Sequence, residues 1–81
     1  MSKDIIEVIR ESARNLGVEK SDGIVPESKL GELGLDSLGI FTIVSDVEEE
    51  FGVEIPQEEF EKLETVDDLR ASVVRLKDNN N

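Results

Sequence analysis

The residue whose setting most invites chemistry is Ser37, in the run Leu33-Gly34-Leu35-Asp36-Ser37-Leu38. A serine entering a helix lies where unpaired backbone N–H groups and the positive end of the helix dipole stabilise an anion, so a phosphodiester on its oxygen would be well placed. Nothing in the chain can activate that hydroxyl. The 81 residues include no His and no Cys, which excludes a Ser-His or Cys-His nucleophile pair, a zinc site of the usual kind and any protein thiol. Covalent chemistry at Ser37 must therefore be installed from outside, as a post-translational modification, and the chain is expected not to be an enzyme. The same two residues have a plainer reading, because Asp-Ser at a helix start is ordinary capping chemistry. A second candidate, Asp46-x-Glu48-x-Glu50, has the acidic spacing of a calcium loop. It fails that test, because such a loop needs Gly where Phe51 stands and a bidentate acid where Gln57 stands. No dedicated metal site is expected.

The elements that must position Ser37 are legible from apolar spacing. Ile5, Ile9, Ala13 and Leu16 mark one face of a helix over 3–16, with Ser2 as its cap and Gly17 as its stop. From Gly17 to Leu35 no period persists, yet Val18, Ile24, Val25, Leu30 and Leu33 recur between Gly23, Pro26, Gly31 and Gly34. This reads as a long loop pinned by apolar anchors, of a length that is often functional. Asp36 caps a second helix over 37–51, with Ile40, Ile43, Val44, Val47 and Phe51 on its stripe and Gly52 ending it. Phe41 lies about 100° and Leu38 about 160° from Ile40 around that helix, so neither belongs to the stripe. Gly39 sits within it at a cost of roughly 0.5–1 kcal/mol relative to alanine. Its replacement by alanine is thus expected to stabilise the fold and to slow modification. Pro56 opens a short third helix of barely two turns with Phe60, Leu63 and a Glu58–Lys62 pair. Thr65-Val66-Asp67-Asp68 reads as a capping box with Asp in place of Glu, opening a fourth helix through Leu69, Val73 and Leu76 that ends near Lys77. The expected fold is all-α, a small four-helix bundle over 1–77 followed by a disordered polar tail, 78–81.

Charge narrows the partner classes. Nine Lys+Arg against 20 Asp+Glu leave a net charge of -11, so nucleic-acid phosphates and anionic membranes are repelled. The acidity is concentrated, with thirteen acids and the single base Lys62 in residues 30–68. Such a block is commonly a solvated helix surface, but it also fits docking to basic partners. The N-terminus has no apolar signal core and no stretch is long enough to span a bilayer, so a cytoplasmic monomer without membrane insertion is expected.

Gly34-Leu35-Asp36-Ser37-Leu38, the helix through Glu48-Glu49-Glu50-Phe51-Gly52-Val53-Glu54-Ile55-Pro56, and Thr65-Val66-Asp67-Asp68-Leu69 together resemble the acyl carrier proteins over about residues 3–77. In that family the serine of the Asp-Ser-Leu motif bears a 4'-phosphopantetheine arm. The arm comes from coenzyme A by way of a magnesium-dependent phosphopantetheinyl transferase, and acyl groups ride on its thiol as thioesters. The resemblance implies Ser37 as the attachment residue. It also implies recognition by acyl-transferring and acyl-processing enzymes with basic docking patches, using Asp36, Glu48, Glu49 and Glu61. Their positions off the core stripe make Leu38 and Phe41 the expected apolar centre beside those charges, the alternative for Phe41 being to fold back under the long loop. Gly39 and Thr42 stand where many fatty-acid carriers have acidic residues, Lys29 where relatives often have an apolar one, and Phe60 where they often have a smaller one. A fatty-acid role or a dedicated lipid, polyketide or peptide-related pathway both fit. The competing reading is an unmodified acidic helical adaptor or charge mimic, in which Asp36-Ser37 only caps a helix.

Overall fold

The computed structural model describes residues 4–79. Four helices form: α1 (Ile5–Asn15), α2 (Ser37–Phe51), α3 (Gln57–Phe60) and α4 (Val66–Asn79), with 3-10 turns at Ser21–Gly23 and Leu30–Glu32 in the long loop. The all-α expectation holds, with one antiparallel bridge, Lys29 to Thr65, as the sole strand-like feature among the described residues.

Each boundary has a chemical cause. The α1 cap is Asp4, whose carboxylate accepts from the Ile6 N–H at 2.9 Å, so the helix starts two residues later than 3. The proposed cap Ser2 lies outside the described residues. At the other end Gly17 adopts a φ of 91°. Its N–H donates to the Arg14 carbonyl and that of Val18 to the Ala13 carbonyl, both at 3.0 Å, the paired bonds that close a helix on a left-handed residue. Gly52, with a φ of 67°, ends α2, its own N–H and that of Val53 both donating to the Glu48 carbonyl, and the Lys77 ammonium adds a bond to the Phe51 carbonyl at 3.1 Å. α3 is a single turn rather than two. Lys62 therefore shares no helix with Glu58, and Gln57 reaches Glu61 at 3.4 Å instead. α4 continues to Asn79, two residues past its expected end, so 78–79 are helical and only 80–81 of the expected tail lie outside the described residues.

The core joins Val8, Ile9 and Ala13 of α1, Ile43, Val44 and Val47 of α2, and Val66, Leu69 and Val73 of α4, with Ile24 and Leu30 inserted from the loop. Ile40 and Phe51 flank this core half-buried. Of the expected loop anchors Ile24 and Leu30 are buried, Val18 and Leu33 half-buried and Val25 exposed, and Leu16, beyond the last turn of α1, is 38 % exposed. Sealing α1 to α2 beside the core, the Ser12 hydroxyl donates to Asp46 at 2.5 Å.

The long loop is held by its backbone. Leu30 N–H donates to the Glu64 carbonyl, Val66 N–H to that of Ser28, and Asp67 N–H to that of Pro26, at 2.8–2.9 Å. Arg10 fixes the loop's far side through Nε to the Ile24 carbonyl at 2.9 Å, and Arg14 pairs with Asp22 at 2.6 Å. These bonds fix the direction from which residues 33–36 approach α2.

Candidate functional site

Asp36 turns that approach into a helix. Its backbone is extended (φ -84°, ψ -175°), one carboxylate oxygen accepts from the Gly39 N–H at 2.9 Å, and its carbonyl accepts from the Ile40 N–H at 3.1 Å. Capping is thereby done by Asp36, and Ser37 is left as the first helical residue. Its side chain is exposed, and its hydroxyl has no hydrogen-bond partner among the described residues. Because the first N–H groups of a helix lack intrahelical acceptors, an anion esterified to this oxygen would meet the favourable end of α2. The site therefore fits a phosphodiester-linked group.

Leu38 is 74 % and Phe41 52 % exposed on the outer side of α2, as their angular positions require. Phe41 is not free of the fold, however. Its ring meets that of Phe60 edge to face, with centroids 5.9 Å apart, which closes the seam between α2 and α3. Glu61 follows Phe60 just past the end of α3 and is exposed. Glu49 is also exposed, but it borders a cleft toward α1 together with Asp46 and Glu50. Glu48 is half-buried and accepts from the Ile55 N–H at 2.6 Å, which ties α2 to the segment that leads into α3. Ser37, Leu38 and Phe41 thus lie in the first turns of α2, with Phe41 against Phe60 at the end of α3, whereas Glu48 and Glu49 belong to the far end of α2.

Three positions carry more than the sequence pattern reveals. Gly39 is buried, and a Cβ built there would stand 3.0 Å from Leu35 Cβ and 3.1 Å from its Cδ2. A Cβ in so close an approach has to displace Leu35 by a few tenths of an ångström, which opposes the expected gain in stability from alanine. Glu59 receives Arg75 as an ion pair and lies 3.5 Å from the Ser72 hydroxyl, docking α3 on α4. Asp68 accepts from the N–H groups of Glu64 and Thr65 at 3.0 and 3.1 Å while the Asp68 N–H donates to the Thr65 hydroxyl at 3.1 Å, completing the capping box. Those two backbone bonds, Thr65 first, hold its carboxyl below the ordinary carboxylate range. No group of three or more His, Cys, Asp or Glu residues that could hold a metal ion occurs among the described residues, and none of their helices is long and apolar enough to cross a membrane.

The family model described as a phosphopantetheine attachment site matches residues 6–73. An acyl carrier protein of Rubrobacter xylanophilus is 41% identical over 74 residues, which is 89% of this chain and 90% of that protein. A four-helix fold that presents an unpartnered serine at a capped helix start agrees with both, and the chain belongs to the acyl carrier protein family, non-catalytic carriers whose cofactor is covalently attached 4'-phosphopantetheine.

Proposed function

We propose that Ser37 is the attachment residue and that the protein carries acyl intermediates between separate enzymes. The observation that supports this most directly is the division of labour at the start of α2, where Asp36 caps the helix and the Ser37 hydroxyl is exposed and unpartnered. In the transfer, the Ser37 oxygen gives its proton to a base of the transferase and forms the new O–P bond, as a P–O bond within the coenzyme A pyrophosphate breaks and adenosine 3',5'-bisphosphate leaves. The attached group supplies a thiol, absent from this chain's own side chains, on which cargo is held as a thioester. The chain's residues orient the attachment point: Asp36 sets the helix start, and the Leu35–Gly39 contact holds the entering segment against the first turn.

The partners in this reading are a phosphopantetheinyl transferase and acyl-processing enzymes with basic patches. Leu38 and Phe41 form the apolar centre of the docking surface, Asp36 and Glu61 its near charges, and Glu48 and Glu49 its distal charges. The carrier works as a cytoplasmic monomer in fatty-acid synthesis or in a dedicated lipid or polyketide pathway. Intact-mass measurement after incubation with coenzyme A and a transferase tests the proposal. A gain of one phosphopantetheine that disappears in Ser37→Ala supports it; no gain with several transferases would leave the acidic-adaptor reading instead.

A further inference from the structure

α3 is a single turn with no fully buried side chain, and Pro56 ahead of it supplies no side-chain cap. A helix so short has little stability of its own, so contacts with its neighbours must fix its place. Two adjacent residues make them, each with a different helix. Glu59 turns to α4, where Arg75 pairs with its Oε1 atom and the Ser72 hydroxyl stands 3.5 Å from the same oxygen. Phe60 turns to α2 and meets Phe41 edge to face. Consecutive Cα atoms are only about 3.8 Å apart, so neither residue can shift far without moving the other. Three of the five residues from Gln57 to Glu61 are acids, and Arg75 is the base that α4 sets against them. The position of the Phe60 ring is therefore set in part from α4.

That ring bears in turn on the surface beside Ser37. Phe41 follows Ser37 by four residues, one turn of α2, so both lie on the same side of the helix. Its ring is 52 % exposed and rests on Phe60. An exposed aromatic side chain binds a partner more tightly when it is already held in place, because less ordering is left to the binding step. We propose that Arg75 is a positioning residue for partner recognition: through Glu59 it holds α3 where Phe60 supports Phe41 beside the attachment serine. This inference rests on the reading of Ser37 as the attachment residue. The Arg75 and Glu59 side chains remain 53 % and 24 % exposed, so their pair contributes little to global stability and its loss leaves the core intact. Charge alone gives the opposite expectation for recognition, because removing a base from a chain of net charge -11 strengthens its attraction to a basic partner.

The test follows transfer of phosphopantetheine from coenzyme A to the unmodified protein by a phosphopantetheinyl transferase, with the product identified by mass. If the wild-type protein is not modified at Ser37, the attachment reading and this inference fall together. With modification established, Arg75→Gln should raise the KM for the carrier about two- to tenfold at unchanged kcat, the range expected for one aromatic pair, and Arg75→Lys should recover most of the loss. Arg70→Gln removes the same charge from the Asp67 pair on α4 and should not raise KM. In a Phe60→Leu background Arg75→Gln should have no further effect on KM, since no ring is left to position. Cross-relaxation between the Phe41 and Phe60 rings in the proton NMR spectrum should weaken in Arg75→Gln, while its melting temperature falls by less than about 8 °C. A larger fall would assign the pair to folding instead. A KM at or below the wild-type value in Arg75→Gln, or an equal rise in the Phe60→Leu background, would overturn the role of Arg75 while leaving the attachment at Ser37 intact.

Discussion

Phe41 shows how residue-scale geometry separates a docking role from a packing role. Its ring is half-exposed and touches Phe60 edge to face, so truncation removes one aromatic contact rather than a buried ring. Phe41→Ala should therefore cost about 0.5–1.5 kcal/mol in urea unfolding, well short of the 3–5 kcal/mol of a core phenylalanine, while turnover by acyl-processing partners falls. A full core-sized loss with unchanged turnover of the folded variant would assign Phe41 to the core. Gly39 behaves differently. A helical glycine is readable in the sequence, but its reason is a contact with Leu35 from the preceding loop, and no hydrophobic period reports such an approach. The gain of roughly 0.5–1 kcal/mol from helix propensity is opposed by moving Leu35 a few tenths of an ångström. Gly39→Ala should accordingly be no more stable than the parent and should slow modification. Adding Leu35→Ala should recover part of the stability, which a double-mutant cycle reads out; simple additivity would count against the contact.

At the scale of elements, α1, α2 and α4 were legible because their apolar residues recur at helical spacing and their ends carry Asp36, Gly17, Gly52 and the Thr65–Asp68 box. The loop was legible only as a region with anchors. Its clamp to the segment before α4 consists of backbone bonds at Leu30, Val66 and Asp67, which side-chain identity does not encode. Likewise α3 is a single turn that relies on Glu59 reaching Ser72 and Arg75 of α4, and no local pattern announces a partner that distant in sequence. Asp68 links an element boundary to pH. Its carboxyl titrates lower in the folded protein than in the unfolded chain, so its contribution is fully present above the unfolded pKa and is lost as pH falls through the folded one. Asp68→Asn should melt at a lower temperature than the parent near neutral pH, with the gap closing as the pH drops below the ordinary carboxylate range. A gap independent of pH would mean that the carboxylate charge is not what caps α4.

For the molecule as a whole, thirteen of the 20 acids fall within residues 30–68 beside the single base Lys62. Folding brings these charges closer than they are in the expanded chain, so screening relieves repulsion more in the folded state. The melting temperature should rise from low to physiological ionic strength; a flat or falling trend would mean the charges are already balanced by pairs such as Arg75–Glu59 and Arg70–Asp67. In the proposed reading the acidic residues beside Leu38, Phe41 and the exposed Ser37 serve basic partners, and Ser37 is the one point of covalent attachment. That attachment point is the central claim, and tandem mass spectrometry of peptides from the transferase-treated protein tests it most directly. The account predicts a single phosphopantetheine on the fragment ions that contain Ser37, with Ser28 and Ser45 unmodified; the group on any other serine, or on none, would contradict it.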